Sequence, residues 1–158
     1  MMSKEKIVIL DNEHYIQWTI KTVLEGEKYS VLAFDSIEKV MPILSENGVA
    51  CLVTEYWIDH FCTLEVIRSL KKKFPEAYVM MLTSRQVGPK QYKEILNAGV
   101  DDFFEKPFPA EKILLHLRKG LKQRDILLQK KQLEQKLDRI DPKGYITRIS
   151  SRAQRVAL

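Results

Sequence analysis

Residues 78–107 read YVMMLTSRQVGPKQYKEILNAGVDDFFEKP. Tyr78–Thr83 is an apolar run of strand length, bounded by the polar Ser84-Arg85-Gln86. Pro89 suits the first turn of a helix, because its φ is already helical and its missing N–H would have no partner there. That helix is expected to run to Ala98, with Gly99 closing it. Asp102–Glu105 is a second, short strand, and Lys106-Pro107 leads into another helix. Strand, helix and strand in so short a span form a βαβ unit, which makes the two strands parallel.

The same alternation extends toward the N-terminus. Lys6–Leu10 (KIVIL) is a β-branched run, and Ile16, Ile20 and Val23-Leu24 then recur at helical spacing up to Gly26. Tyr29–Phe34 reads as a strand. Ser36 is a suitable N-cap for a helix to Asn47, with Gly48 as its stop and Pro42 as a kink within it. Cys51–Thr54 is the next strand, and Leu64–Lys73 is a helix ended by Phe74-Pro75. Five strands alternate with five helices. The strands are continuously apolar, as in a parallel sheet covered on both faces. The expected fold is therefore α/β, a doubly wound five-stranded parallel sheet with an extended C-terminal helix.

In such a sheet, function gathers at the carboxyl ends of the strands. Strand one ends in Asp11-Asn12-Glu13, strand three in Glu55, strand four in Thr83-Ser84 and strand five in Lys106-Pro107. Acids, an amide, a hydroxyl and a lysine on one rim suit a cation and a phosphoryl group. Each has a plainer reading. Asp11 or Asn12 also suits a helix cap, Glu55 a structural carboxylate paired with Lys106, and Thr83 an ordinary strand end.

Taken jointly, KIVILDNE, LVTEYWIDHFCTLEVIRSL, VMMLTSR and AGVDDFFEKPF resemble the receiver domain of bacterial response regulators, over about residues 5–120. The resemblance implies the flavodoxin-like receiver fold, a phosphate pocket of Asp11, Asn12, Glu55, Thr83 and Lys106, and a switch pair of Thr83 and Phe103. It implies Mg²⁺ on Asp11 and Asn12. It places Pro107 where the family has a cis proline. The implied role is non-enzymatic signal transduction in a two-component phosphorelay, in the cytoplasm, with a histidine kinase or other signalling protein as partner.

Two positions depart from the pattern. Glu55 stands where the family has its phosphoacceptor aspartate, and its carboxylate reaches roughly 1.5 Å further. In-line phosphoryl transfer tolerates little misplacement. Asn12 replaces an acid, so Asp11, Glu55 and Lys106 leave the pocket one unit less negative than the family pattern. Mg²⁺ is therefore expected to bind weakly or not at all, and no other cofactor is expected. The expected function is an atypical receiver, a phosphorylation-independent interaction and dimerisation module with no catalytic residue. The alternative is a phosphotransfer-competent, Mg²⁺-dependent receiver. Tyr56 and Trp57 either overhang the pocket or anchor a loop. Lys93, Asp102, Phe104, Lys112 and His116 are the expected contact face.

Beyond the receiver segment (1–120), residues 121–140 continue the helical pattern. Leu114, Leu121 and Leu128 are spaced by seven, as are Ile126, Leu133 and Ile140. The two series differ in register, so a coiled coil must shift phase near Ile126–Leu128. A helix of about thirty residues is roughly 45 Å long, beyond a small domain's reach. Both series are expected to face partner helices in a parallel homodimer, with Gly120 a weak point. Residues 141–158 (DPKGYITRISSRAQRVAL) open with a turn and an expected strand at Tyr145–Ile149. They loosely resemble the start of a PAS sensor domain, which would make the chain a fragment of a longer protein.

Charge divides along the same line. The net of +5 over 158 residues combines −3 in residues 1–108 with +8 in residues 109–158. The basic residues are spread among leucines, as on a solvated helix face, and no helix-turn-helix is visible, so direct DNA binding is not expected. Cys51 and Cys62 read as small hydrophobes in a reducing compartment; His60 lies near Cys62, but no second ligand pair follows. No apolar run is long enough to span a membrane, and no signal peptide is apparent.

Overall fold

A computed structural model describes residues 4–145. Five strands form one parallel sheet: β1 (Lys6–Leu10), β2 (Ser30–Phe34), β3 (Val49–Glu55), β6 (Tyr78–Thr83) and β7 (Asp102–Glu105), in the order β2-β1-β3-β6-β7. Between β3 and the third helix lies a two-stranded antiparallel hairpin, β4 (Trp57–Ile58) and β5 (Phe61–Cys62). The helices are α1 (His14–Leu24), α2 (Ile37–Leu44), α3 (Leu64–Lys73), α4 (Pro89–Ala98) and α5 (Ala110–Ile140).

Side chains alternate across the strands, and both faces of the sheet are covered. Val8 and Leu10 join Val40, Leu44, Ile67, Leu70 and Ile95 on the side of α2, α3 and α4. Ile7 and Ile9 join Ile16, Ile20, Leu24, Ile113, Leu117 and Leu121 on the side of α1 and α5. This double coverage is why the strands read as unbroken apolar runs. The order in which successive strands are laid down reverses between β1 and β3, so their carboxyl ends flank the topological switch point.

Several expected boundaries are corrected. The second helix ends at Leu44, not Asn47. Pro42 lies within it and offers no N–H to Glu38, which weakens its last turn. The third strand begins at Val49 and extends to Glu55, so Glu55 is a strand residue. The β4–β5 hairpin was not expected. Its turn at Asp59-His60 lacks the usual Asn-Gly or Asp-Gly signal, although Asp59 adopts a left-handed φ of 55°. Tyr145 is helical where a strand was expected, its N–H donating to Asp141 Oδ1 at 3.0 Å; the rest of that segment lies outside the described residues.

The chain divides into two compact units, one ending at Arg124 and one beginning at Asp125. In the first, Leu121 is buried and Leu114 packs against the same core. The expectation that the Leu114–Leu121 series faces partner helices is therefore corrected: the sheet supplies the apolar surface. Arg124 Nη1 donates to Glu5 Oε2 at 2.7 Å, tying this turn of α5 to the chain's start. In the second unit, Ile126, Leu133 and Ile140 are 55%, 65% and 75% exposed, so this series has no cover within the described residues.

Candidate functional site

Lys106 follows β7 directly, and its backbone N–H donates to the Thr83 carbonyl at 2.7 Å, continuing the β6–β7 ladder past the strand end. The Lys106-Pro107 peptide is cis, as the resemblance implied. The lysine side chain turns across the rim toward β1 and β3. Its Nζ lies 2.8 Å from Asp11 Oδ2, 2.8 Å from Glu13 Oε1 and 2.9 Å from Glu55 Oε2. The expected Glu55–Lys106 pair is present. Glu13 stood in the quoted strand end but was not assigned to the site; its place two residues beyond Asp11 was the signal.

The other oxygens of the two buried acids are held by the backbone. Asp11 Oδ1 accepts from Glu13 N–H at 2.8 Å, and Glu55 Oε1 accepts from Tyr56 N–H at 2.7 Å. Gln17 fixes the strand end by donating to the Asp11 carbonyl and, at 3.2 Å, to that of Phe34. Burial raises the pKa of Asp11, and the Lys106 hydrogen bond only partly offsets it. Burial alone would depress the Lys106 pKa, but hydrogen bonds to Asp11, Glu13 and Glu55 outweigh it and raise the value. With Glu13 counted, the cluster carries −2, so the charge deficit inferred from Asn12 is made up by a neighbouring acid.

Mg²⁺ needs near-octahedral oxygens at about 2.0–2.1 Å. The carboxylates that would supply them close instead on the Lys106 ammonium. Among the described residues, no three His, Cys, Asp or Glu side chains are placed to hold a metal ion. Asn12 is exposed and lines the adjoining cavity rather than the Lys106 cluster. As arranged, this rim does not fit the divalent ion that the receiver pattern implies.

That cavity, of about 140 Å³, is lined by Asn12, Glu13, Glu55, Trp57, Asp59, Ser84 and Arg85. Asp59 and Arg85 are additions from the structure. Asp59 reaches the rim only because the hairpin turns there, which no local sequence signal announces. The Arg85 guanidinium lies 5.9 Å from the Trp57 ring centre. Of the two aromatic residues after Glu55, Tyr56 is a buried anchor in the core, while Trp57 packs on that core and lines the cavity. Thr83 is fully buried and its Oγ1 accepts from Arg85 N–H at 3.2 Å. Phe103 is half-buried, opposite Met81 in the ladder, with its ring edge-on to Tyr92 at 5.8 Å.

Four of the five expected contact residues come together on β7 and α5. His116 packs edge-on to Phe104 at 4.7 Å, the Lys112 ammonium lies 5.1 Å from the Phe104 ring centre, and His116 Nδ1 is 3.8 Å from Asp102 Oδ2. Lys93 is exposed on α4. Cys51 and Cys62 are free thiols; Cys51 is buried, and burial pushes its thiol pKa up. Among the described residues, no helix is long and apolar enough to cross a membrane.

A family model of the response regulator receiver domain matches residues 7–118. The uncharacterized transcriptional regulatory protein YkoG of Bacillus subtilis is 30% identical over 122 residues, covering 77% of this chain and 53% of that protein. The chain spans about half the length of the curated relatives it matches. Among solved structures, a CheY-like receiver domain protein of Methanospirillum hungatei superimposes with a TM-score of 0.69 at 21% identity, covering 78% of this chain and 98% of that one. The beryllofluoride-activated NtrC4 receiver domain dimer gives 0.68 at 20% identity, covering 75% and 98%. At such identities the structural likeness shows the fold.

Proposed function

The chain belongs to the response regulator receiver domain family, and we propose that it serves two-component signalling as a phosphorylation-independent module that works through protein contacts. The observation that carries this reading is the state of Glu55. It replaces the phosphoacceptor, one carboxylate oxygen is taken by Lys106 at 2.9 Å and the other by Tyr56 N–H at 2.7 Å. A nucleophilic oxygen would have to leave one of these partners inside a buried rim, where an unmatched charge is costly. The Glu55–Lys106 pair also resembles the end point of a phosphomimetic substitution, with the longer carboxylate already seated on the lysine.

The contact face in this reading is α4, β7 and the start of α5, with Lys93, Asp102, Phe104, Lys112 and His116. The partner is a histidine kinase or another signalling protein, met in the cytoplasm. The exposed Ile126, Leu133 and Ile140 series supplies a parallel helix pair between two copies of the chain. DNA contact is assigned to no residue here. A PAS-like segment after Asp141 would receive the signal.

Incubation with acetyl phosphate and Mg²⁺, followed by intact mass, tests the central point. The wild-type chain is expected to gain no phosphoryl group, while the Asn12→Asp/Glu55→Asp double variant is expected to gain one. A stoichiometric, acid-labile adduct on wild type would overturn the reading in favour of a phosphotransfer-competent receiver.

A further inference from the structure

Two cavities meet the β4–β5 hairpin, and Asp59 lines both. One is the rim cavity. The other, of about 280 Å³, lies where the hairpin faces the start of α2 and is lined by Ser36, Ile37, Glu38, Ile58, Asp59 and Phe61. Its inner wall is apolar: Ile58 is buried in the core and Ile37 packs against that core. Phe61, opposite Ile58 in the ladder, is 68% exposed, so a large ring is left in water beside an apolar space. Cofactors and drug-sized ligands occupy about 300–1,000 Å³, so this volume suits one large side chain better. The exposed lining is acidic. Glu38 and Asp59 meet no cation among the described residues, whereas Asp35, next to Ser36, is held by Lys39 at 3.0 Å. The hairpin is pinned at its base: Thr63 N–H donates to the Tyr56 carbonyl at 3.0 Å, and Thr63 Oγ1 donates to the Glu55 carbonyl at 2.7 Å.

We propose that this cavity docks a segment of a partner protein in which a large apolar side chain stands beside a lysine or arginine, and that its occupancy is read at the rim through the hairpin. The apolar side chain covers Ile37, Ile58 and Phe61, and the cation pairs with Glu38 and Asp59. Charge complementarity selects the basic flank, since an acid there would face two carboxylates with no counter-ion. The readout follows from the shared wall. A cation that engages Asp59 takes its carboxylate from the rim cavity, which Trp57 and Arg85 also line. Covering Phe61 braces its ladder partner Ile58, one residue from Trp57. The site is separate from the contact face on α4, β7 and α5. It goes beyond the phosphorylation-independent reading and does not depend on it, because a phosphate-accepting rim would have the same neighbour.

The test is an NMR titration of the isotope-labelled full chain with acetyl-Phe-Lys-amide, set against acetyl-Phe-Glu-amide and acetyl-Gly-Lys-amide. Trp18→Phe leaves the Trp57 indole N–H as the one tryptophan signal. The Phe-Lys probe is expected to shift the Ile37, Ile58 and Phe61 amides saturably, together with that indole at the rim. The other two probes are expected to bind at least about fivefold more weakly. Phe61→Ala and Glu38→Lys, both at exposed positions, should each weaken the Phe-Lys probe by about threefold or more and leave the far-UV dichroism unchanged. Equal binding of the Lys and Glu probes would overturn the docking site, as would saturable shifts confined to other parts of the chain or none at all. Phenethylamine binding as tightly as the peptide would make this a small-amine pocket and overturn the assignment of a protein partner. Binding that leaves the Trp57 indole unmoved would overturn the coupling to the rim. A chain that accepts phosphate yet binds the Phe-Lys probe here would overturn the phosphorylation-independent reading and leave this one standing.

Discussion

One methylene separates Glu55 from an aspartate, and it lengthens the reach of the carboxylate by roughly 1.5 Å. Its Oε2 lies 2.9 Å from the Lys106 ammonium, which also meets Asp11 and Glu13, each at 2.8 Å. The cluster has a titration signature. Because burial raises the Asp11 pKa in the folded chain, the native state holds this proton more tightly than the unfolded chain does. The stability linked to it is fully present below the ordinary aspartate pKa and is lost as pH rises through the folded value. Asp11→Asn removes the titrating group while its Oδ1 can still accept from Glu13 N–H. The melting temperature of Asp11→Asn minus that of wild type is therefore expected to increase as pH rises from about 4 to about 7. Scanning calorimetry across that range checks the sign; a difference that falls with pH would contradict it.

At the scale of elements, α5 is anchored at its middle turns. Gly120 looks like a weakness in a helix, since glycine costs about 1 kcal/mol relative to alanine. Its place is set by packing instead. A Cβ there would lie 2.4 Å from ring atoms of Tyr78, on β6. The ring passes over Gly120, and its hydroxyl donates to Asp102 Oδ2 on β7; burial, with this bond second, raises the phenol pKa. Gly120→Ala is expected to destabilise the fold by about 1–3 kcal/mol despite its better helix propensity, because the ring must move and its hydroxyl must leave Asp102. Denaturant unfolding measures this, and Tyr78→Leu in the same chain should recover part of the loss.

The next turn of the same helix sets where the first unit ends. Leu121 is buried in the core and Arg124 reaches Glu5. A chain truncated after Lys119 loses both, and with Leu121 alone goes about 1.5–3 kcal/mol of apolar burial. A chain truncated after Asp125 keeps them and is expected to unfold at a denaturant midpoint close to that of the full chain. Equal midpoints for the two truncations would show that this turn contributes nothing.

For the whole molecule the question is assembly. Ile126, Leu133 and Ile140 are largely exposed, whereas Leu114 and Leu121 are claimed by the core. Association is therefore expected to depend on residues beyond Arg124, with Lys130 weakening the seam. Sedimentation should give a dimer for the full chain at high micromolar concentration and a monomer after truncation at Asp125. A truncated chain that still dimerises would place the contact on α4, β7 and the start of α5, where Phe104, His116 and Lys112 are packed together.

The order of elements was legible because each part of it has a local cause. Continuous β-branched runs make strands buried on both faces, Pro89 opens a helix and Gly99 closes one. Asp11, Glu55, Thr83 and Lys106 were legible as strand ends because a parallel sheet brings its carboxyl ends to one rim. Whether those ends touch was not. Glu13 joins Lys106 because the turn into α1 bends its side chain back over the rim. Asp59 joins because a hairpin with an unmarked turn carries it there. The heptad spacing of Leu114 and Leu121 could not say whether the partner was another helix or the sheet, since both bury the same stripe. Periodicity records which side chains avoid water, and tertiary packing alone determines what they meet. Charge follows the same division: the residues set how many acids lie near the rim, and only the tertiary fold brings Asp11, Glu13 and Glu55 onto one ammonium.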